Sequence, residues 1–215
     1  QRIWSMDHAK ARNDWILFID ADEFMTPALA REIDAFARNP RGHVGGYIAG
    51  RNYFLGRWIK HSTYYPSYQL RLLRRGEVRY RKEGHGQREV TDGPLAYLRE
   101  GWRHEGFSKG VADWIARHNR YSTAEIELIL RDRDAPLAPG ELFSRQATTR
   151  RRAVKRVGAR IPGRPFLKLL YAYGVHGCWR DGWPGFYFNA LRFAHEIHVV
   201  VKLAERRWEQ RGATP

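Results

Sequence analysis

Runs and alternations of apolar residues predict strands in the first part of the chain and helices in the last. Residues 15–19, Trp-Ile-Leu-Phe-Ile, form a continuous apolar run rich in branched and aromatic side chains, the pattern of a strand buried on both faces of an α/β sheet. It leads into Asp20-Ala21-Asp22-Glu23. Thr26-Pro27 then has the form of an N-cap with Pro at the first helical position, and Leu29, Ile33, Phe36 and Ala37 recur at helical spacing up to Asn39-Pro40-Arg41-Gly42. Residues 46–50 and 68–74 read as strands, the second with Gln69 and Arg71 alternating in period two with Leu70 and Leu72. The loop between them holds Tyr53, Phe54, Trp58, Tyr64, Tyr65 and Tyr68 among Arg51, Arg57, Lys60 and His61. That mixture suits a sugar or lipid-phosphate surface and equally a packed Ω-loop.

From 111 to 131 the spacing of Val111, Trp114, Ile115, His118, Ser122, Ile126 and Ile129 is helical, with His118 expected as a packed residue. Ser122-Thr-Ala-Glu125 matches a capping box if the helix restarts there. Residues 131–140 read as a linker. The uncharged runs at 169–179 and 182–191 fall well short of the ~18–20 residues that span a bilayer, so no transmembrane helix is expected. Between 186 and 208, Phe186, Ala190, Phe193, Ile197, Val200, Val201, Ala204 and Trp208 share one helical face, which suits either an interfacial helix or one packed on its own domain.

Composition and charge narrow the function classes. Of 215 residues, 43% are hydrophobic and 13% aromatic, which excludes a disordered chain. The lone Cys178 excludes an internal disulfide and a four-thiolate zinc site, and points to the cytosol or its membrane surface. No basic start, sustained apolar run and small-residue cleavage site open the chain, so no secretory signal is expected. The net charge of +15 implies a polyanionic neighbour, and residues 150–215 carry +10 of it. Nucleic acid is one candidate. Yet no helix-turn-helix, zinc or RNA-binding signature accompanies the charge, and the basic excess coincides with amphipathic sequence, so an anionic membrane surface is expected and nucleic acid is not.

The acidic tetrapeptide is the candidate chemistry. Carboxylates at i and i+2 after a buried strand point to one side, where open α/β sheets bind ligands, so Asp20 and Asp22 are placed to share a Mg²⁺ or Mn²⁺ ion and, through it, a nucleoside diphosphate. A solvated loop with Asp22 or Glu23 near the following helix N-terminus reads equally from the tripeptide alone.

Trp15-Ile-Leu-Phe-Ile-Asp-Ala-Asp-Glu23 closely resembles the acidic motif of glycosyltransferase family 2, the nucleotide-sugar enzymes of GT-A fold. Arg51-Asn-Tyr-Phe-Leu-Gly-Arg-Trp58, Tyr68-Gln-Leu-Arg-Leu-Leu-Arg-Arg-Gly76, His118-Asn-Arg-Tyr-Ser122 and Asp181-Gly-Trp-Pro-Gly-Phe186 are similar to successive blocks of bacterial members that build lipopolysaccharide cores and exopolysaccharides. The resemblance implies an α/β fold, the C-terminal part of a GT-A mixed sheet with flanking helices over 1–135, followed by a basic amphipathic helical region over 136–215. It also implies that the N-terminal nucleotide-binding half of such a fold lies outside this chain, which opens on Gln1.

The implied reaction is metal-assisted, inverting transfer of a sugar from a nucleoside diphosphate sugar to a lipid-linked or saccharide acceptor, at the cytoplasmic face of the bacterial inner membrane. Asp20 and Asp22 take the metal and nucleotide-sugar role, and Arg103-His104-Glu105, after an expected strand at 95–102, matches the position of a third ligand, His104. That imidazole favours Mn²⁺ over Mg²⁺. Glu89, then Glu83, is the implied acceptor base, with His85 placed to position either. Gln69 and Arg71 are candidates for diphosphate or acceptor oxygens. Ser67 stands where many relatives carry an acid. The rival from another class is a basic nucleic-acid- or membrane-binding protein without catalytic activity.

Overall fold

The computed structural model describes residues 2–8, 11–83, 86–133, 139–144, 147–158, 161, 163–210 and 212. The chain divides into two compact units, residues 1–108 and 109–215. The fold is mixed α/β with parallel and antiparallel strands and flanking helices, as expected.

The first unit runs α1 (Arg2–His8), β1 (Trp15–Leu17), β2 (Glu23–Phe24), α2 (Pro27–Arg38), β3 (Gly45–Ala49), β4 (Arg51–Phe54), β5 (Arg57–Trp58), β6 (Tyr68–Arg74), β7 (Arg79–Glu83), β8 (Gly86–Val90), β9 (Leu95–Tyr97) and β10 (Arg103–His104). One four-stranded sheet has the order β1-β6-β3-β9, with β3 and β9 parallel and the other pairs antiparallel. A second has the order β2-β10-β4-β5, with β10 parallel to β4. β7 and β8 form a hairpin. The expected strand at 15–19 is shorter and only half-buried, because β1 lies at the sheet edge with β6 as its one partner among the described residues.

Helix α2 starts as its sequence requires: the Thr26 hydroxyl accepts from the Leu29 N–H at 3.1 Å, ahead of Pro27. Such a cap contributes about 1 kcal/mol. Burying Leu29, Ile48 and Leu72 contributes about 1.5–3 kcal/mol each, so packing and not the cap holds α2 on the sheet. Ile33 and Phe36 of α2 join that cluster with Leu98 and Trp102.

The opposite cluster holds Val44, Leu70, Leu73, Val78 and Tyr80, with Ile3 and Met6 of α1 against it. Leu70 and Leu72 therefore face opposite sides, contrary to the expected alternation. The cause is a bulge: Gly46 pairs with Leu72 and Tyr47 with Leu70, leaving Arg71 as the extra residue of β6. Arg71 and Leu72 both turn towards the α2 side, where Trp102 meets the Arg71 guanidinium at 5.0 Å. Gly46 opposite the bulge has no room for a side chain, since a Cβ there would lie 2.6 Å from Leu98 Cδ1.

The expected strand at 95–102 is broken. β9 ends at Tyr97, and after Gly101 the chain joins the other sheet as β10. A Cβ on Gly101 would stand 2.0 Å from the Ala49 carbonyl oxygen, so only glycine lets the chain change sheets this close to β3.

The second unit is helical: α3 (Gly110–Arg133), a 3-10 turn (Pro139–Glu141), α4 (Ala147–Gly158), α5 (Arg164–Gly174), a second 3-10 turn (Cys178–Asp181) and α6 (Gly182–Glu209). Thus α3, which the sequence groups with residues 1–135, lies in this unit. α3 runs unbroken through Ser122, whose hydroxyl donates to the Asn119 carbonyl at 2.8 Å, so the capping-box restart does not occur. His118 is packed as expected, stacked on Trp114 with ring centroids 3.4 Å apart, and burial pushes its pKa down. Ile126 meets Val199 and Leu203 between α3 and α6. The buried stripe of α6 includes Gly185, Asn189, Val199 and Leu203, so the apolar face expected from 186 to 208 is displaced from it and leaves Phe186, Val201 and Trp208 exposed.

An ionic cluster ties α3, α5 and α6. Buried Arg164 donates from Nη2 to Glu125 at 2.8 Å and from Nε to Glu196 at 2.6 Å, and Lys168 also pairs with Glu196. The hydrogen bond from His195, then Arg164, holds the Glu125 carboxyl at about 2, well below the usual range. A depressed folded-state pKa means that the stabilisation is full above the unfolded value near 4.3 and is lost as pH falls towards 2. Glu125→Gln is therefore expected to lower stability at pH 7, with the gap to wild type closing between about pH 5 and 2. Denaturant titrations across that range check it, and a gap independent of pH would contradict it.

Candidate active site

The acidic loop is built by three short elements. β1 continues past Leu17 through a Phe18 N–H to Arg71 carbonyl bond of 3.0 Å, which sets Asp20 beside the bulge of β6. The loop then turns on the Glu23 N–H to Asp20 carbonyl bond and enters β2. β10 lies between β2 and β4, with His104 opposite Glu23 on one side and Asn52 on the other. The Glu105 N–H also donates to the Asp22 carbonyl at 2.9 Å, fastening the loop to the end of β10.

The four acidic-loop positions have separate roles. Arg71, 2% exposed, donates from Nη2 to Asp20 Oδ2 at 2.9 Å and to Glu23 Oε1 at 2.8 Å. Glu23 also accepts from the Asp20 backbone N–H at 2.8 Å, yet burial outweighs these partners and raises its pKa. Arg71 Nε and Nη1 are buried without a hydrogen-bond partner among the described residues, and the Trp102 ring lies against that guanidinium. Asp22 faces the other way, with Oδ2 3.3 Å from His104 Nε2. His104 Nδ1 meets Asn52 Oδ1 at 2.6 Å. A neutral ring donating from Nδ1 to Asn52 carries its lone pair on Nε2, pointed at the Asp22 carboxylate. Two electron-pair donors turned towards one another suit a shared cation, and an outer hydrogen bond that fixes the imidazole is the usual support of a metal-binding histidine.

The structure thus brings together Asp20, Asp22, Arg71 and His104 of the residues singled out in sequence, and adds Glu23 and Asn52. It divides the expected ligand set, because the Asp20 carboxylate pairs with Arg71 whereas that of Asp22 meets His104. Among the described residues no group of three or more His, Cys, Asp or Glu is gathered as a metal site. The fit for a divalent ion is therefore a two-donor one, Asp22 and His104, whose other positions would fall to water and phosphate oxygens. Arg71 itself is a buried clamp on the acidic loop and not a free phosphate contact.

Gln69 stays exposed at the start of β6. Glu89 lies in β8 opposite Tyr80, and its charge contributes, after burial and Tyr97, to the raised pKa of Tyr47. Among the described residues it makes no hydrogen bond to the acidic loop. Glu83 belongs to β7, but its side chain and the whole of His85 lie outside the described residues.

The aromatic loop is largely packed on itself. Phe54 lies against Phe107 at 4.1 Å, Trp58 against Tyr65 at 5.0 Å, and Arg51 and Lys60 stand over the Trp58 ring. From that stretch the Asn52 side chain reaches His104, and no local sequence signal marks it.

Residues 8–107 match the family model described as Glycosyl transferase family 2. The match falls within the first unit and includes every residue of the acidic cluster, and it supports a glycosyltransferase. That family implies a nucleotide-sugar donor and an acceptor, and typical use of divalent cations. No solved structure matches the chain.

Proposed function

We propose that the first unit is the catalytic part of an inverting, cation-dependent glycosyltransferase of the bacterial type that builds cell-envelope polysaccharide, moving a sugar from a nucleoside diphosphate sugar to a lipid-linked or saccharide acceptor. The observation that carries this reading is the Asp22–His104–Asn52 line inside the family match: a carboxylate and a fixed imidazole 3.3 Å apart, next to a loop held by a buried arginine.

In this reading Asp22 and His104 hold Mn²⁺ or Mg²⁺, which when bound offsets the charge developing on the departing diphosphate. Asn52 keeps the His104 ring in its donating orientation. Arg71, through Asp20 and Glu23, fixes the backbone from which Asp22 projects. Glu89 is the group assigned to take the acceptor proton, on the resemblance alone, with Glu83 as its alternate.

Incubation with labelled nucleoside diphosphate sugars, Mn²⁺ and either a bacterial lipid extract or oligosaccharides tests the reading. One donor is expected to label an acceptor, with loss on chelation and recovery on adding Mn²⁺. Consumption of no donor with any acceptor would contradict it.

A further inference from the structure

The helical unit carries a surface that the transferase reading does not use. α5 buries Arg164, Pro165 and Ala172 and turns Phe166, Leu167, Leu170 and Tyr171 outward, with Leu170 69% exposed. The following 3-10 turn exposes Trp179, and the first turns of α6 expose Trp183 at 71%, with Phe186 and Tyr187 beside it. Burial of any one of these would have contributed about 1.5–3 kcal/mol to folding. Their exposure on elements that pack against one another needs a ligand phase, since scattered single apolar residues are ordinary and a concentration of large ones is not.

Charge identifies that phase. From residue 161 to residue 195 the single acid is Asp181, which is 2% exposed. Arg180 lies at the same surface, with its guanidinium over the Trp179 ring at 5.2 Å. Large aromatic side chains beside the exposed Lys168 and Arg180, with Asp181 2% exposed and the Glu196 side chain, which pairs with Arg164 and Lys168, 12% exposed, match the boundary of an anionic bilayer, where indole and phenol rings sit at headgroup depth. No helix among the described residues is long and apolar enough to cross a membrane, so contact here is with the interface.

We infer that α5, the Trp179 turn and the start of α6 form a docking surface for an anionic lipid bilayer, with Leu170, Trp179 and Trp183 entering the headgroup region. This places the lipid contact N-terminal to most of the α6 face that sequence periodicity suggested. It is independent of the sugar chemistry, because it requires no donor or metal.

Cosedimentation of the chain with phosphatidylglycerol-rich and with pure phosphatidylcholine vesicles tests it. Wild type is expected to bind the anionic vesicles at least about tenfold more tightly, with weakening by salt, and Leu170→Glu/Trp183→Glu is expected to lose at least about tenfold of that binding. Should the double variant lose its helical circular dichroism, Trp179→Ser takes its place. Absent vesicle binding, equal binding to both lipids, or an unaffected variant would overturn the inference. So would a dimer that the double variant dissolves in the absence of vesicle binding, or salt-sensitive binding of DNA alone.

Discussion

Asp22→Ala is expected to lower sugar transfer about a thousandfold or more while leaving the thermal transition of the protein in place. A bound cation stabilises the transition state of such a transfer by several kcal/mol, and each ~1.4 kcal/mol is a factor of ten in rate. Asp22 is the acid whose side chain meets His104, whereas Asp20 and Glu23 are committed to Arg71. Its carboxylate is 31% exposed, so truncation strands no buried charge, and a stability change within about 0.5 kcal/mol follows. Kinetics and thermal melts on the same preparation separate the two effects. A variant that retains transfer would remove Asp22 from the metal role, and one that unfolds would make the loop structural.

Arg71→Met is expected to do the reverse and act first on folding. The guanidinium is 3% exposed and the Glu23 side chain 4%, so removal of the cation leaves a buried carboxylate facing a hydrophobic side chain. Breaking such a pair from one side costs about 3–5 kcal/mol. In a unit of this size each kcal/mol corresponds to roughly 4–8 °C, so the melting temperature should fall by more than ~10 °C. Arg71→Lys restores the charge without the planar fork or the stacking on Trp102, and should recover only part of the loss. Acidification softens the defect, because Glu23 already has a raised pKa from burial and becomes neutral first. Melts of the three proteins at neutral and acid pH decide this, and an Arg71→Met protein as stable as wild type would show that Arg71 is not the clamp.

These two outcomes follow from one strand-order accident that the sequence could not display. Period-two reading of β6 located the strand but not the burial of Arg71, because a bulge depends on the partner strand, and Gly46 lies over twenty residues away in sequence. The same holds for Asn52. It becomes the partner of His104 only because β10 inserts between β2 and β4, and that insertion follows from the absence of a side chain at Gly101. Local chemistry, by contrast, was legible: Thr26-Pro27 starts α2, the apolar run before Asp20 is β1 and its extension, and Trp114 to His118 is a helical step.

Helical periodicity was legible in length and misleading in direction. α6 extends further than the apolar stripe suggested, and the residues it buries include the polar Asn189 and the small Gly185, which hydropathy alone assigns to solvent or to no face. Asn189 can be buried because its amide donates to the Gly185 carbonyl at 2.8 Å. The large aromatics are left outside, the reverse of the usual economy of a core. Likewise Glu125 reads in sequence as the acid of a capping box and Arg164 and Glu196 as isolated charges, and only the packing of three helices makes them one cluster.

A calorimetric titration with Mn²⁺, in the absence and presence of a nucleoside diphosphate, bears most directly on the acidic cluster as a cation site for sugar transfer. One ion per chain is expected to bind, more tightly with the diphosphate, and Asp22→Ala and His104→Ala are each expected to abolish that binding while Glu89→Gln leaves it intact. Binding that survives both substitutions, or no binding by the wild-type chain under either condition, would contradict the assignment of Asp22 and His104.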